Sequence, residues 1–118
     1  MPDLSAVERK SYISLATFRK NGQPVWTPVW FAMNGGRLYV MTRSDSWKIK
    51  RLAHNLRVLF APASMRGKIK GPQQQGTARV LPPGDDLGRT LIRKKYLLAR
   101  LPIWSKENVY LEITPDAV

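Results

Sequence analysis

Pro24-Val25-Trp26-Thr27-Pro28-Val29-Trp30-Phe31-Ala32-Met33, then Asn34-Gly35-Gly36, then Arg37-Leu38-Tyr39-Val40-Met41-Thr42-Arg43, is the stretch on which the reading of the fold turns. Both flanks alternate with a period of two and are rich in β-branched and aromatic residues, so each reads as a strand. Val25, Thr27, Val29, Phe31 and Met33 share one face; Trp26, Pro28, Trp30 and Ala32 share the other. The Gly pair between the strands specifies a tight hairpin turn. Upstream, residues 11–19 alternate in the same way and are joined through Lys20-Asn21-Gly22-Gln23, a second hairpin signal. Three strands and two short turns make an antiparallel meander.

Beyond Arg43 the period changes. Ile49, Leu52, Ala53 and Leu56 fall at i, i+3, i+4 and i+7, which predicts a helix over about 45–55. Residues 57–63 read as a fourth strand and 64–71 as a basic, Gly-containing loop. Residues 73–81 read as a fifth strand, with Gly76 expected at a bulge or bend. After Pro82-Pro83-Gly84, Asp85 or Asp86 is placed to cap a helix running to about Arg100. Its expected stripe is Leu87, Leu91, Leu98 and Leu101, and Pro102 ends it. Residues 108–114 alternate cleanly as a sixth strand, while 3–10 read as a short helix or irregular lead-in. The expected fold is mainly β: one domain over 1–118, a six-stranded antiparallel barrel with a few helices. An open sheet of six strands would leave an apolar face and two edges exposed.

Composition narrows the chemistry. The chain has 118 residues, enough to bury a core without staples. It has no cysteine and one histidine, His54, which removes thiolate chemistry and disulfides and argues against a histidine metal site or a Ser-His-Asp triad. No apolar run approaches a membrane span, and Met1-Pro2-Asp3-Leu4-Ser5 lacks a secretory pattern, so a cytoplasmic chain without a membrane partner is expected. The net charge is +12. From Arg37 to Arg79 ten basic residues face one acid, Asp45, so an anionic partner competes on level terms with a merely solvated surface.

The anion has a candidate seat at Thr42-Arg43-Ser44-Asp45-Ser46-Trp47-Lys48-Ile49-Lys50-Arg51, where a strand gives way to a helix. Free N–H groups, the hydroxyls of Ser44 and Ser46, and the charges of Arg43, Lys48 and Arg51 make a phosphate site. Cations at a helix start oppose the macrodipole at about 0.3–1 kcal/mol each. A bound anion would offset that; the plainer alternative is a capped helix with solvent-facing lysines. Pro28 marks an edge or bulge, where a planar ring can lie against backbone or where the edge is simply protected. Trp26 and Trp104 read as core or interface residues; Trp30 and Trp47 are evenly balanced between that and ring stacking. His54 reads as a surface residue near the helix end. Of Gln73, Gln74 and Gln75, at most two can face a ligand. Arg93-Lys94-Lys95 and Arg66-Gly67-Lys68-Ile69-Lys70 are also basic, but no nucleic-acid-binding motif accompanies them, which argues against a nucleic-acid partner.

In order and spacing, the blocks Ile13–Thr17, Asn21–Pro24, Thr27–Phe31, Leu38–Thr42, Ser46–Leu52 and Gly76–Leu81 resemble the pyridoxamine 5′-phosphate oxidase-like split β-barrel family. The chain looks most similar to its actinobacterial flavin- or deazaflavin-dependent oxidoreductases. The resemblance implies an FMN-binding split-barrel fold, a homodimer, and cofactor sites at the dimer interface. It places Thr42, Ser46 and Lys48 at the phosphate positions and residues 27–30 along the isoalloxazine ring. The candidate cofactor-binding set is therefore Thr27, Pro28, Val29, Trp30, Met41, Thr42, Arg43, Ser46, Trp47, Lys48, Arg51 and Gln73. The implied cofactor is coenzyme F420, whose phosphodiester and oligoglutamate tail suit a long basic groove, with FMN as the alternative. The implied activity is hydride transfer to a small-molecule substrate. A non-enzymatic carrier or basic binding module is the third reading. The chain is shorter than the oxidase pattern proper, which speaks against pyridoxamine phosphate oxidation itself. No catalytic residue is assigned; Tyr39, Tyr96 and Tyr110 are candidate proton donors, and no metal is expected.

Overall fold

The computed structural model describes residues 4–8, 10–96 and 108–117. Among them lie the strands β1 (Tyr12–Phe18), β2 (Pro24–Asn34), β3 (Arg37–Arg43), β4 (Arg57–Ala63), β5 (Gln74–Val80) and β6 (Asn108–Pro115). The helices are α1 (Trp47–Leu52), between β3 and β4, and α2 (Leu87–Lys95), between β5 and β6. All pairings are antiparallel, and the barrel closes in the order β1-β2-β3-β6-β5-β4, with β4 returning to β1. The expected mainly-β, six-stranded barrel is the observed one. Gly35 and Gly36 carry φ of 60° and 76°, the positive values a two-residue hairpin with the native strand twist requires.

β2 changes partner partway along its length. Pro24–Trp30 pair with β1, whereas Phe31–Asn34 pair with Arg37–Val40 of β3. Pro28 sits in the section that has one neighbouring strand, where a residue without an N–H is tolerated. At the changeover, β1 has already ended and Phe31 lacks a strand on that side. The Tyr96 hydroxyl takes the place of one. It accepts the Phe31 N–H at 3.0 Å, reaches the Phe31 carbonyl at 2.8 Å and also bonds the Ser11 carbonyl. The Tyr96 ring stacks on Trp30 at 4.5 Å, nearly parallel. Desolvation pushes the phenol up to about 12, so the hydroxyl keeps its proton at all ordinary pH.

Inside the barrel, Ile13, Leu15, Val29, Phe31, Leu38, Val40, Val58, Phe60, Leu111 and Ile113 are buried in one cluster. Each large side chain contributes about 1.5–3 kcal/mol by leaving water. Leu52 of α1 and Val7 of the lead-in join that cluster. Outside the barrel, Ala32 and Ile92 form a second cluster with Trp30, Met41, Leu91, Tyr96 and Tyr110, which fastens α2 to the sheet.

Of the two readings of the lead-in, the irregular one holds: it is a single turn, with Val7 and Glu8 N–H groups bonded to the Leu4 carbonyl. Other expectations need correction. Gly76 makes no bulge, since the register runs unbroken on both sides. A Cβ there would lie 2.8 Å from the Thr114 carbonyl oxygen, so close strand approach accounts for the glycine. α1 stops at Leu52 rather than near Asn55, because Leu56 is already extended and accepts the Ala78 N–H. Leu56 is accordingly exposed instead of completing the helical stripe. α2 buries Gly88 and Ile92, while Leu87 is exposed. The helix breaks at Tyr96, whose backbone turns extended as its side chain reaches β2. Asp85 accepts the Leu87 N–H at 3.2 Å, and Asp86 makes no side-chain cap. The predicted continuation through Leu98, Leu101 and Pro102, and Trp104, lie outside the described residues.

The Tyr96 bridge gives a direct prediction. Tyr96→Phe retains the ring stack but strips Phe31 of its partner, and an unsatisfied buried backbone group costs about 1–3 kcal/mol. Chemical denaturation is expected to show a lower midpoint by that amount with an unchanged slope.

Candidate functional site

Where β2 and β3 part, an open cleft of about 390 Å³ is lined by Tyr12, Pro28, Val29, Trp30, Met41, Thr42, Lys48 and Met65. One wall is the single-neighbour section of β2, and the opposite wall is the end of β3, which pairs there with β6 alone. α1 begins where β3 ends and carries Lys48 to the cleft. Its start is organised by hydroxyls. Thr42 Oγ1 donates to Ser46 Oγ at 3.1 Å, and the Ile49 N–H donates to the same oxygen at 3.4 Å. With both its lone pairs engaged, the Ser46 hydroxyl retains a proton to donate elsewhere. The first turn of α1 holds no acidic residue.

Lys48 is half-buried, and its side chain makes no hydrogen bond or ion pair among the described residues. Burial lowers its pKa below the ordinary 10.5, and the nearby Arg51 charge adds to the effect. A desolvated cation beside another cation costs stability and has no compensating acid here. Asp45 is the nearby acid in sequence, and its exposed carboxylate is held by Arg43 at 3.1 Å. A second orphan lies one residue from Pro28. Thr27 Oγ1 is buried and, among the described residues, unpartnered within the protein. Such a hydroxyl wants a ligand or water.

The basic loop reaches the same cleft. Gly67 has φ +85°, and its Cβ position lies 3.5 Å from the Pro28 ring, so the turn folds over β2. The Gly67 N–H bonds the Ser64 carbonyl at 2.9 Å, which tightens the turn. This brings Met65 to the cleft and leaves Arg66, Lys68 and Lys70 exposed on the loop.

Of the candidate residues, the cleft gathers Pro28, Val29, Trp30, Met41, Thr42 and Lys48, with Ser46 behind them as the cap. Thr27 does not line it. Arg43 is exposed and tied to Asp45, and Gln73 is exposed just before β5. Trp47 and Arg51 line a different groove, described below, and Arg51 also donates to Thr17 Oγ1 at 3.4 Å. Tyr12 and Met65 were not anticipated. Tyr12 was legible in principle, since the antiparallel register sets it opposite Trp30; Met65 depends on a loop conformation. Of the candidate donors, Tyr39 gives its hydroxyl proton to Glu112 at 2.9 Å and Tyr96 is locked to Phe31. Tyr110 packs under α2. Lys94 and Lys95 border another cavity, with Glu8 and Asn34. Trp26 is half-buried, and His54 is exposed in the turn after α1. Among the described residues no group of three His, Cys, Asp or Glu side chains could hold a metal ion, and no helix is long and apolar enough to cross a membrane.

Solved structures share the fold at low sequence identity. An F420 reductase superposes with a TM-score of 0.73 at 22% identity, covering 99% of this chain and 97% of that one. An FAD-binding protein of Mesorhizobium loti gives 0.69 at 21%, covering 95% and 86%. A heme storage protein of Vibrio cholerae gives 0.68 at 14%, covering 93% and 84%. No curated protein matches the sequence. The family description that matches is pyridoxamine 5′-phosphate oxidase, and it spans residues 4–118. With the six-stranded barrel and the cleft at its split, this match means that the chain belongs to the pyridoxamine 5′-phosphate oxidase family.

Proposed function

We propose that the chain is a homodimeric oxidoreductase that binds coenzyme F420 in the β2–β3 cleft and transfers hydride to a small organic acceptor. The observation that carries this reading is Lys48: a half-buried ammonium facing a cleft without an acid. The residues fit a phosphate. Lys48 would supply charge, and Ser46 a hydroxyl proton, with Thr42 holding that hydroxyl in place. The flat wall Pro28-Val29-Trp30 would receive a tricyclic ring edge-on to backbone that no second strand occupies. Arg66, Lys68 and Lys70 stand on the loop that folds over Pro28, positioned for a tail of carboxylates. The deazaflavin would supply the hydride. The chain's residues would bind and orient it, and Tyr12 is the tyrosine that lines the cleft.

FMN is the second reading, because one cation in the cleft matches one phosphate. The low-identity likeness to proteins named F420 reductase and FAD-binding protein supports a flavin-type ligand without choosing between them. Titration of the purified chain with both cofactors decides. Micromolar F420 binding, tighter than FMN, is expected; the reverse order selects FMN, and failure of both at low salt removes the reading.

Lys48→Ala is expected to weaken the preferred cofactor roughly 10- to 100-fold, the loss of about 1.5–3 kcal/mol from one charge-assisted bond. Unliganded stability should stay the same or rise, since a desolvated charge near Arg51 is removed. A parallel loss of folding would instead make Lys48 a structural residue.

The lowered Lys48 pKa has two consequences of opposite sign. The folded chain holds that proton less tightly than the unfolded chain, so unliganded stability rises as pH climbs from the lowered value towards 10.5. Phosphate affinity falls over the same interval, because the ammonium it needs is lost. Cofactor titrations and thermal melts across alkaline pH should therefore diverge; Lys48→Ala should flatten the cofactor profile, while the melts keep the rise contributed by Lys95, whose pKa burial lowers to about 8.

A further inference from the structure

α1 has a second side. Away from the β2–β3 cleft, a groove of about 820 Å³ is bounded by Phe18, Arg19 and Lys20 from the end of the β1–β2 hairpin and by Trp47, Lys50, Arg51, Ala53 and His54 from α1 and its exit turn. Two aromatic rings face four Lys and Arg side chains, and no acid lines it. Trp47 is 67% exposed, with Met65 the most exposed large apolar side chain among the described residues. An indole that contributes nothing to the core sits at the first position of a helix that aligns and caps without it. The Lys50 ammonium stands over one face of the Trp47 ring, 4.2 Å from its centre, a cation–π contact, while the side chain remains largely exposed. Asp45, which neighbours Trp47 in sequence, is held by Arg43, feels the Lys50 charge more weakly and does not line the groove.

A fixed, exposed aromatic plane ringed by cations has two complementary features in a ligand: a flat π-system and a negative charge a few ångströms from it. A nucleotide has both. We propose that this groove is a nucleotide-binding site, separate from the cofactor cleft, in which a base stacks on Trp47 and the phosphate is held by Arg19, Lys20 and Lys50. The volume takes a mononucleotide unit, which can be free or part of a single strand. The site does not depend on the identity of the cofactor, because the groove shares no lining residue with the cleft bounded by Thr42, Lys48 and the Pro28–Trp30 wall.

The probes are AMP and a fluorescent single-stranded dodecanucleotide, titrated against the full chain at low salt. Binding of either is expected, and it should fall roughly tenfold or more in Trp47→Leu, which keeps an apolar side chain but loses the stacking plane. Trp47→Phe should restore much of it. Arg19→Glu with Lys20→Glu, both on the exposed hairpin end, should abolish binding and leave FMN and F420 titrations unchanged. AMP binding assigns a free nucleotide; oligonucleotide binding alone, with a log–log salt slope of roughly −2 to −3, assigns a strand held by three or four cations. The proposal is overturned if neither probe binds, or if Trp47→Leu binds as well as the parent, which reduces the effect to general positive charge. It is also overturned if the Arg19/Lys20 double variant loses F420 but not nucleotide, which would make the groove part of the cofactor seat. Loss of cofactor binding in Lys48→Ala with nucleotide binding intact separates this site from the cleft.

Discussion

Phe31 is the residue on which the barrel's closure and its opening both depend. Up to Trp30, β2 is held by β1; from Phe31 onward it is held by β3. β2 is the longest of the described strands, and in a small barrel whose strands must tilt and stagger to close, its two ends meet different neighbours. The changeover leaves Phe31 with a backbone N–H and carbonyl that no strand satisfies, and the Tyr96 hydroxyl serves both. That bond also ends α2 and fixes Trp30 through the ring stack. The same parting of strands opens the cleft. Closure of the fold and creation of the site are one geometric event.

Charge then gives the cleft its character. The folded chain keeps a half-buried lysine next to an arginine, and a buried hydroxyl on Thr27 without a partner. Neither helps the protein fold. Only Lys48 lines the cleft; Thr27 lies one residue from it in β2 and does not line it. An uncompensated cation at the cleft is what a binding site costs before its ligand arrives. The short α1 divides this region: one side carries Lys48 into the cleft, the other carries Trp47 and Lys50 into the basic groove.

The strands were legible because alternation is a local signal, and β3 and β4 begin and end where the pattern does. The cleft set was partly legible. Thr42, Ser46 and Lys48 are close in sequence, so a strand-to-helix turn brings them together whatever surrounds it. Pro28 announced an edge or bulge, but not which strand would be missing. Arg43 and Gln73 read as equal candidates; the first turns to Asp45 and the second stands exposed ahead of β5. Helix ends were read poorly. Leu56 and Leu87 fit a helical stripe by spacing, yet the chain's need to re-enter the sheet takes Leu56 out of α1, and α2 packs on Gly88 and Ile92 because Tyr110 and Leu81 approach too closely for any larger residue at position 88.

By itself the sequence determined the six strands, their hairpin turns, the excess of cations and the hydroxyl-rich turn at Thr42–Lys48, all properties of neighbouring residues. Tertiary structure decided which cations have partners, that Tyr96 replaces a strand at Phe31, that the Ser64–Lys70 turn folds over Pro28, and that Trp47 lines a different hollow from Lys48. The division follows from range. Periodicity and turn chemistry act over a few residues, whereas burial, desolvation and the matching of charges depend on residues brought together only when the barrel closes.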